Sequence, residues 1–315
     1  MAVDTGPLFE TLTVKGKTLR NRIVMPPMVV LRGLATPEGV EWYGRHARGG
    51  VALVIVEATA VNRFGAELTA ENLKPLVDAI HAGGALAAIQ LFPVSFGRPI
   101  SPAMLKRDEI EAIIAAYRVA AGICAEAGFD GVEPHGAHGY VLNLFFSPVK
   151  NRRKDEFGGE LANRMRMALA VVEAARQGVG DGGLLLYRHT PVGQGYGIEE
   201  GLVLAEQLVK AGVDILDLSP SSIEAPGDRA APFKKLGVPV IAVNHLDEVE
   251  RALEALREGR ADLIAVGRGL IADPDWPAKV KEGRVDDIVK CTRCDEKCFG
   301  NLKKGIPIEC TQWEG

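Results

Sequence analysis

The chain has 315 residues, 47% hydrophobic and 25% charged, the mix of a globular protein with a large core and a length that suits one α/β barrel. A net charge of −4 leaves no footprint for nucleic acid or an anionic membrane surface, and no apolar run approaches the roughly 18 residues of a transmembrane span. The start, MAVDTGPLFETLTVKGK, lacks the basic-then-apolar order of a secretory leader, so a cytoplasmic location is expected.

In chain order, short β-branched runs alternate with amphipathic stretches. Strands are predicted at 22–25, 51–58, 86–91, 131–135, 184–188, 214–219, 238–243 and 262–267. Helices are predicted at 38–49, 71–82, 108–127, 160–177, 199–211, 228–235, 247–258 and 274–283. The helical assignments rest on apolar spacing such as Ile110, Ile113, Ile114 and Tyr117, or Val249, Leu253 and Leu256. Several strands are apolar almost throughout, as in a parallel sheet covered on both faces. Eight strand–helix units predict a (β/α)8 TIM barrel over residues 1–284, followed by a short C-terminal cysteine-rich segment over 285–315.

A barrel of this kind carries its chemistry at the C-terminal ends of its strands. Those ends read Met25-Pro26-Pro27-Met28, Glu57-Ala58, Gln90, His135 with His138, Arg188, Ser219, Asn244 and Gly267-Arg268. In GFDGVEPHGAHGY, His135 and His138 flank a Gly-assisted turn and Tyr140 follows. Two imidazoles can hold one oxygen between paired N–H donors, and a phenol beside them can deliver a proton, being protonated at neutral pH. A purely structural role, bonding loop backbone, is the competing reading. A zinc pair lacks an obvious third ligand.

These motifs resemble the old yellow enzyme family, flavin-dependent ene-reductases on (β/α)8 barrels. The resemblance runs from LFETLTVKGKTLRNRIVMPPM through GFDGVEPHGAHGYVLNLFFSPVKNRRKDEFGGELANR to ADLIAVGRGLIADPDW. It implies bound FMN, with Pro26, Pro27 and Met28 passing under the flavin ring and Ala58 beside it. It places Gln90 on the pyrimidine edge, Arg188 near N1 and the C2 carbonyl, and Gly267 and Arg268 on the phosphate. Asn244 stands where relatives often have a phosphate-binding glycine. His135 and His138 are implied to bind a substrate carbonyl, with Tyr140 as proton donor. The implied reaction is hydride transfer to the activated C=C bond of an α,β-unsaturated carbonyl or thioester, with NAD(P)H as electron donor.

The tail spacing is Cys291-x2-Cys294-x3-Cys298-x11-Cys310. In a reducing compartment clustered cysteines suit metal better than disulfides. Three close thiolates with one distant fit a [4Fe–4S] cluster better than a zinc ribbon, which has two separated C-x2-C pairs. The pattern resembles the iron–sulfur branch of the same family, nearest in spacing to 2,4-dienoyl-CoA reductase. Cys124 reads as plain core.

Departures from the family pattern carry expectations of their own. Val29 follows Met28 where many relatives have cysteine or threonine, and no cysteine near 28–34 could link a flavin covalently. Pro134 lacks the N–H of a ladder residue, which predicts a bent strand end. The loops after the second and third strands and the link between the sixth and seventh are short, which leaves the pocket open or covered by something else. With no G-x-G-x-x-G dinucleotide fingerprint in the chain, a separate NAD(P)H- or flavin-binding donor protein or subunit is expected to feed the cluster. Direct hydride transfer from NAD(P)H is the alternative. Competing functions are oxidative amine dehydrogenation or demethylation with the cluster exporting electrons, and a non-catalytic electron-transfer subunit. The substrate is expected to be a small molecule of unread identity, and the sequence leaves homo-oligomer assembly open.

Overall fold

The computed structural model describes residues 4–93, 100–220 and 229–313. It opens with an antiparallel hairpin, β1 (Leu12–Val14) and β2 (Lys17–Leu19), turned through left-handed Lys15 and Gly16. The hairpin's Val14 and Leu19 pack with Leu53, Leu184, Ile215, Ile241 and Leu263. Those five begin or nearly begin their strands, so the hairpin closes the N-terminal floor of the barrel.

Eight parallel strands form that barrel: β3 (Ile23–Met25), β4 (Leu53–Ala60), β5 (Leu86–Phe92), β6 (Gly131–Gly136), β7 (Leu184–His189), β8 (Ile215–Leu218), β9 (Val240–Ala242) and β10 (Leu263–Ala265). The ring closes where β10 pairs with β3. Both faces of these strands are buried, the inner by other strands and the outer by helices, which is why they are apolar without alternation. The helices are α1 (Pro37–Arg48), α2 (Ala70–Ala82), α3 (Arg107–Ala127), α4 (Val141–Phe146), α5 (Leu161–Val179), α6 (Ile198–Lys210), α7 (Val249–Arg257), α8 (Arg268–Ala272), α9 (Trp276–Lys281) and α10 (Phe299–Lys303). Local chemistry sets their ends: Thr36 caps α1, Thr69 and Asn72 form a capping box on α2, and left-handed Gly128 ends α3.

The helix expected at 228–235 is instead a 3-10 helix, Ala231–Leu236, with Pro232 in its first turn and left-handed Gly237 ending it; residue 228 lies outside the described residues. So do 94–99 and 221–228, where parts of the short loops fall. At Pro134 the ladder to β7 is interrupted: Val132 faces Leu185 and His135 faces Arg188, with no pairs between. The register is the same on both sides, so the missing N–H opens a gap without a bulge.

The tail lies against the barrel mouth. Within 285–313 only Ile308 is buried. Its N–H donates to the Val30 carbonyl and its carbonyl accepts from Arg32 Nη2 at 2.8 Å. Trp313 Nε1 donates to the Ile271 carbonyl, Arg268 pairs with Asp295 at 2.6 Å, and Arg293 pairs with Asp247 at 3.2 Å. Loops following β3, β9 and β10 therefore hold the tail, which has almost no core of its own. Among the described residues no helix is long and apolar enough to cross a membrane.

Candidate active site

A cavity of about 730 Å³ opens at the C-terminal ends of the strands, within the size range of small-molecule sites. Pro26, Pro27, Met28, Ala58, Gln90, His135, His138, Tyr140, Arg188, Asn244, Gly267 and Arg268 all line it. With Ser219 and Pro220 after β8, residues from all eight barrel strands or the loops after them thus meet at one place. The tail contributes too, through α10 and Ile308, so part of the wall that short loops leave open is supplied by the cysteine-rich segment.

At one wall, His135 and His138 lie edge to face with ring centres 5.3 Å apart, and Tyr140 lies 5.0 Å from His135. Phe92 packs edge-on against Tyr140 at 5.0 Å. The Ala137 N–H donates to His135 Nδ1 at 3.2 Å, so the neutral ring carries its proton on Nε2, as a donor. Burial, then the charges of His138 and Arg188, hold the His135 pKa well below its ordinary value. Burial of its inner side, then Arg188, lowers that of His138. Both rings are therefore neutral hydrogen-bonding groups at physiological pH.

His138 adopts a left-handed backbone, φ 60°, followed by left-handed Gly139. Its N–H donates to Thr190 Oγ1 at 3.0 Å, and its Nε2 lies 2.8 Å from Ser219 Oγ. Arg188 Nη2 donates to the same Ser219 Oγ at 3.2 Å. One hydroxyl at the end of β8 thus joins the buried cation to the imidazole. The sequence marks Ser219 only as a polar strand end and gives Thr190 no role, because their partners come from another strand.

On the strand next to that of His135, Gln90 Nε2 donates to Glu133 Oε1 at 2.7 Å, which turns the amide oxygen away from Glu133. Arg188 is buried, 3.4 Å from Asp217, with its Nε unbonded. Asn244 has φ 98°, and its buried Oδ1 has no partner. Glu57 was the other strand-end residue without an assigned role. Its carboxylate accepts the Val30 N–H, and burial raises its pKa. It fixes the turn after Pro26-Pro27-Met28 that ends in left-handed Leu31.

Beside Arg268 lies a second, small cavity lined by Cys291, Cys294, Cys298 and Cys310 together. The Arg293 N–H donates to Cys291 Sγ and the Gln312 N–H to Cys310 Sγ, both at 3.4 Å. Arg293 and Asp295 are left-handed, φ 58° each, which curls this loop around its sulfurs. Arg268, Ile271, Asp295 and Cys298 line both cavities. Among the described residues no group of three or more His, Cys, Asp or Glu side chains is placed to hold a metal ion, the four cysteines included. Cys124 stands apart, fully buried, its thiol pKa pushed up by burial.

A proline-lined floor, a buried guanidinium, an amide and unbonded buried polar atoms suit a planar heteroaromatic ring with a hydrogen-bonding edge. On a (β/α)8 mouth they define the class of flavin-dependent oxidoreductases. The sequence profile of the NADH:flavin oxidoreductase / NADH oxidase family matches residues 7–101 and 95–287, and the chain belongs to that family. It is 34% identical to NADH oxidase of Thermoanaerobacter brockii over 96% of this chain and 55% of that protein. The structure of 2-naphthoyl-CoA reductase in complex with 2-naphthoyl-CoA superposes with a TM-score of 0.88 at 26% identity, over 98% of this chain and 57% of that one. The old yellow enzyme homologue from Zymomonas mobilis does so with a TM-score of 0.78 at 25% identity, over 87% and 92%. The chain therefore spans little more than half the length of the first two.

Proposed function

We propose that the protein is an FMN-dependent ene-reductase acting on α,β-unsaturated carbonyl compounds or thioesters, with a [4Fe–4S] cluster held by Cys291, Cys294, Cys298 and Cys310. The observation that carries the reading is the convergence of two neutral imidazoles and a phenol on one wall of the cavity. Bound FMN supplies the hydride to the substrate's β-carbon. His135 Nε2–H and the His138 ring hold the substrate's carbonyl oxygen and stabilise the negative charge that develops on it, as oxyanion donors do. Tyr140 Oη gives its proton to the α-carbon. Gln90 and Arg188 would hold the flavin's pyrimidine edge, Gly267 and Arg268 its phosphate, and Asn244, whose own buried Oδ1 has no partner among the described residues, would line the site beside them. Pro26, Pro27, Met28 and Ala58 form the surface on which it rests.

Four sulfurs around one cavity, two accepting backbone N–H bonds, support cluster ligation in the tail. Such a cluster relays single electrons, and exposed Cys294 gives a donor protein or domain access to it. NAD(P)H is the ultimate reductant.

Anaerobic stopped-flow spectroscopy with a cyclic enone tests the reaction. With the flavin first reduced by dithionite, reoxidation by the enone is expected to be slower in Tyr140→Phe than in the wild type. Reoxidation insensitive to Tyr140→Phe would remove the proton-donor role. Iron and acid-labile sulfide near four per chain are expected for one cluster; zinc in place of iron would overturn it.

A further inference from the structure

Two carboxyl groups lie in the barrel interior, behind the cavity. Glu133 and Asp217 are each 0% exposed and neither lines the cavity. Each stands in register with a residue that does line it: Glu133 opposite Gln90 across β5 and β6, Asp217 opposite Arg188 across β7 and β8. They come from the fourth and sixth strands of the barrel. Alternate strands feed the same interior layer, so the two carboxyls face one another beneath the layer that holds Gln90 and Arg188.

The polar partners of this pair are few. Glu133 Oε1 accepts from Gln90 Nε2, and Oε2 has no partner. Among the described residues neither Asp217 oxygen has a hydrogen bond, and Arg188 at 3.4 Å is its one ion pair. The other titratable groups nearby, His135 and His138 at the end of β6, are neutral. One cation therefore faces two carboxyls in a dry interior. Two buried like charges cannot both be sustained by one counter-ion, so such a pair holds a proton in common. Burial first, then Asp217, raises the Glu133 pKa; burial raises that of Asp217 against the pull of Arg188.

We propose that Glu133 and Asp217 form a one-proton carboxyl pair that carries a single negative charge and sets how much of the Arg188 charge reaches the pyrimidine edge of bound FMN. The charge rests on Asp217, beside Arg188, and the proton on the unpartnered Glu133 Oε2. The pair with Arg188 is then neutral overall, which holds the reduction potential of the flavin below the value a bare arginine would give. The inference rests on the reading that Gln90 and Arg188 hold the pyrimidine edge.

The pair predicts non-additive variants. In Glu133→Gln, Asp217 keeps the charge. In Asp217→Asn, the repulsion on Glu133 disappears, its proton leaves under the attraction of Arg188, and the charge moves to Glu133. Only Glu133→Gln/Asp217→Asn loses it. Spectroelectrochemical titration of the FMN-loaded protein should show each single variant moving the midpoint potential by less than half the positive shift of the double variant. A full shift in Asp217→Asn alone, or none in the double variant, overturns the proposal. Infrared difference spectra, oxidised minus reduced, give a second measurement on the isosteric single variants. A protonated-carboxyl band in the wild type, absent from both single variants, is expected; its survival in Asp217→Asn overturns shared protonation even if the double variant does not fold. Arg188→Gln separates the two levels. If it leaves the FMN potential unchanged, the assignment of the pyrimidine edge has failed, and the pair with it. If it lowers the potential while the double variant shows no shift, only the pair has failed.

Discussion

At His138 a non-glycine residue is held left-handed, which costs about 1–2 kcal/mol and persists only where neighbours over-determine it. Here the neighbours are Thr190 Oγ1 on its N–H and Ser219 Oγ on its ring. Ser219→Ala removes the oxygen shared by His138 and Arg188. The loss should lower kcat/KM for an enone by about 10- to 100-fold, the worth of one buried hydrogen bond left unmade, with the thermal midpoint nearly unchanged. Tyr140→Phe should slow flavin reoxidation more, by about 10²- to 10⁴-fold, since it removes the acid itself. His189 offers a stability prediction. It is 0% exposed, neither ring nitrogen has a partner, and burial lowers its pKa to about 3. The unfolded value is about 6.5, so between these limits the unfolded state binds the extra proton and stability falls as pH falls. At pH 5 this one group should cost about 2 kcal/mol relative to pH 7.5. Urea unfolding at the two pH values checks this, and His189→Leu, set among Phe146, Tyr196 and Phe233, should show a smaller drop.

At the scale of elements, strand β6 delivers both the carboxyl behind the cavity and the imidazole in front of it. Its final residue, Gly136, has no room for a side chain: a Cβ there would lie 2.0 Å from the Tyr187 hydroxyl on β7, and Tyr187 is buried. Gly136→Ala must displace the buried Tyr187 ring from its place or shift the end of β6. The expected outcome is a loss of about 3 kcal/mol or more, with FMN retention falling alongside, seen by thermal unfolding and flavin content after gel filtration. The sequence shows Gly136 as turn chemistry between two histidines. The reason it must be glycine lies on the neighbouring strand, which no local pattern reveals. The same holds for α4, whose six residues follow the motif too closely to show a helical period.

At the scale of the whole molecule, the tail is fastened by few groups, and Ile308 is its single buried residue. Ile308→Asp places a carboxylate where apolar packing and the Arg32 and Val30 bonds hold the segment. Detachment of the tail is expected, because the desolvation of a carboxylate in this apolar pocket exceeds what a pairing with neighbouring Arg32 returns. Limited proteolysis should cut after residue 284, and bound iron should fall, while the far-UV circular dichroism of the barrel persists. Loss of barrel signal together with iron would mean that the two parts fold as one unit. Since Arg268, Ile271, Asp295 and Cys298 border both cavities, the variant should also weaken FMN binding.

Much of this protein is determined by its sequence alone. Eight apolar runs with amphipathic segments between them indicate a parallel sheet covered on both faces, and the count of eight strand–helix units points to its closure as a barrel. Polar residues at the strand ends then mark candidates that one cavity brings together, and the cysteine spacing marks the lining of a second. Both are local signals, carried by period and residue type. Tertiary structure alone decided which polar groups meet: Ser219 with Arg188 and His138, Glu57 with the Val30 N–H, Glu133 behind Gln90, Asp217 behind Arg188, and the tail against the loops of the mouth. The reason is that barrel closure brings together strands far apart in the chain. The geometry of a contact between two of them depends on register and layer, which the residues of one strand do not encode.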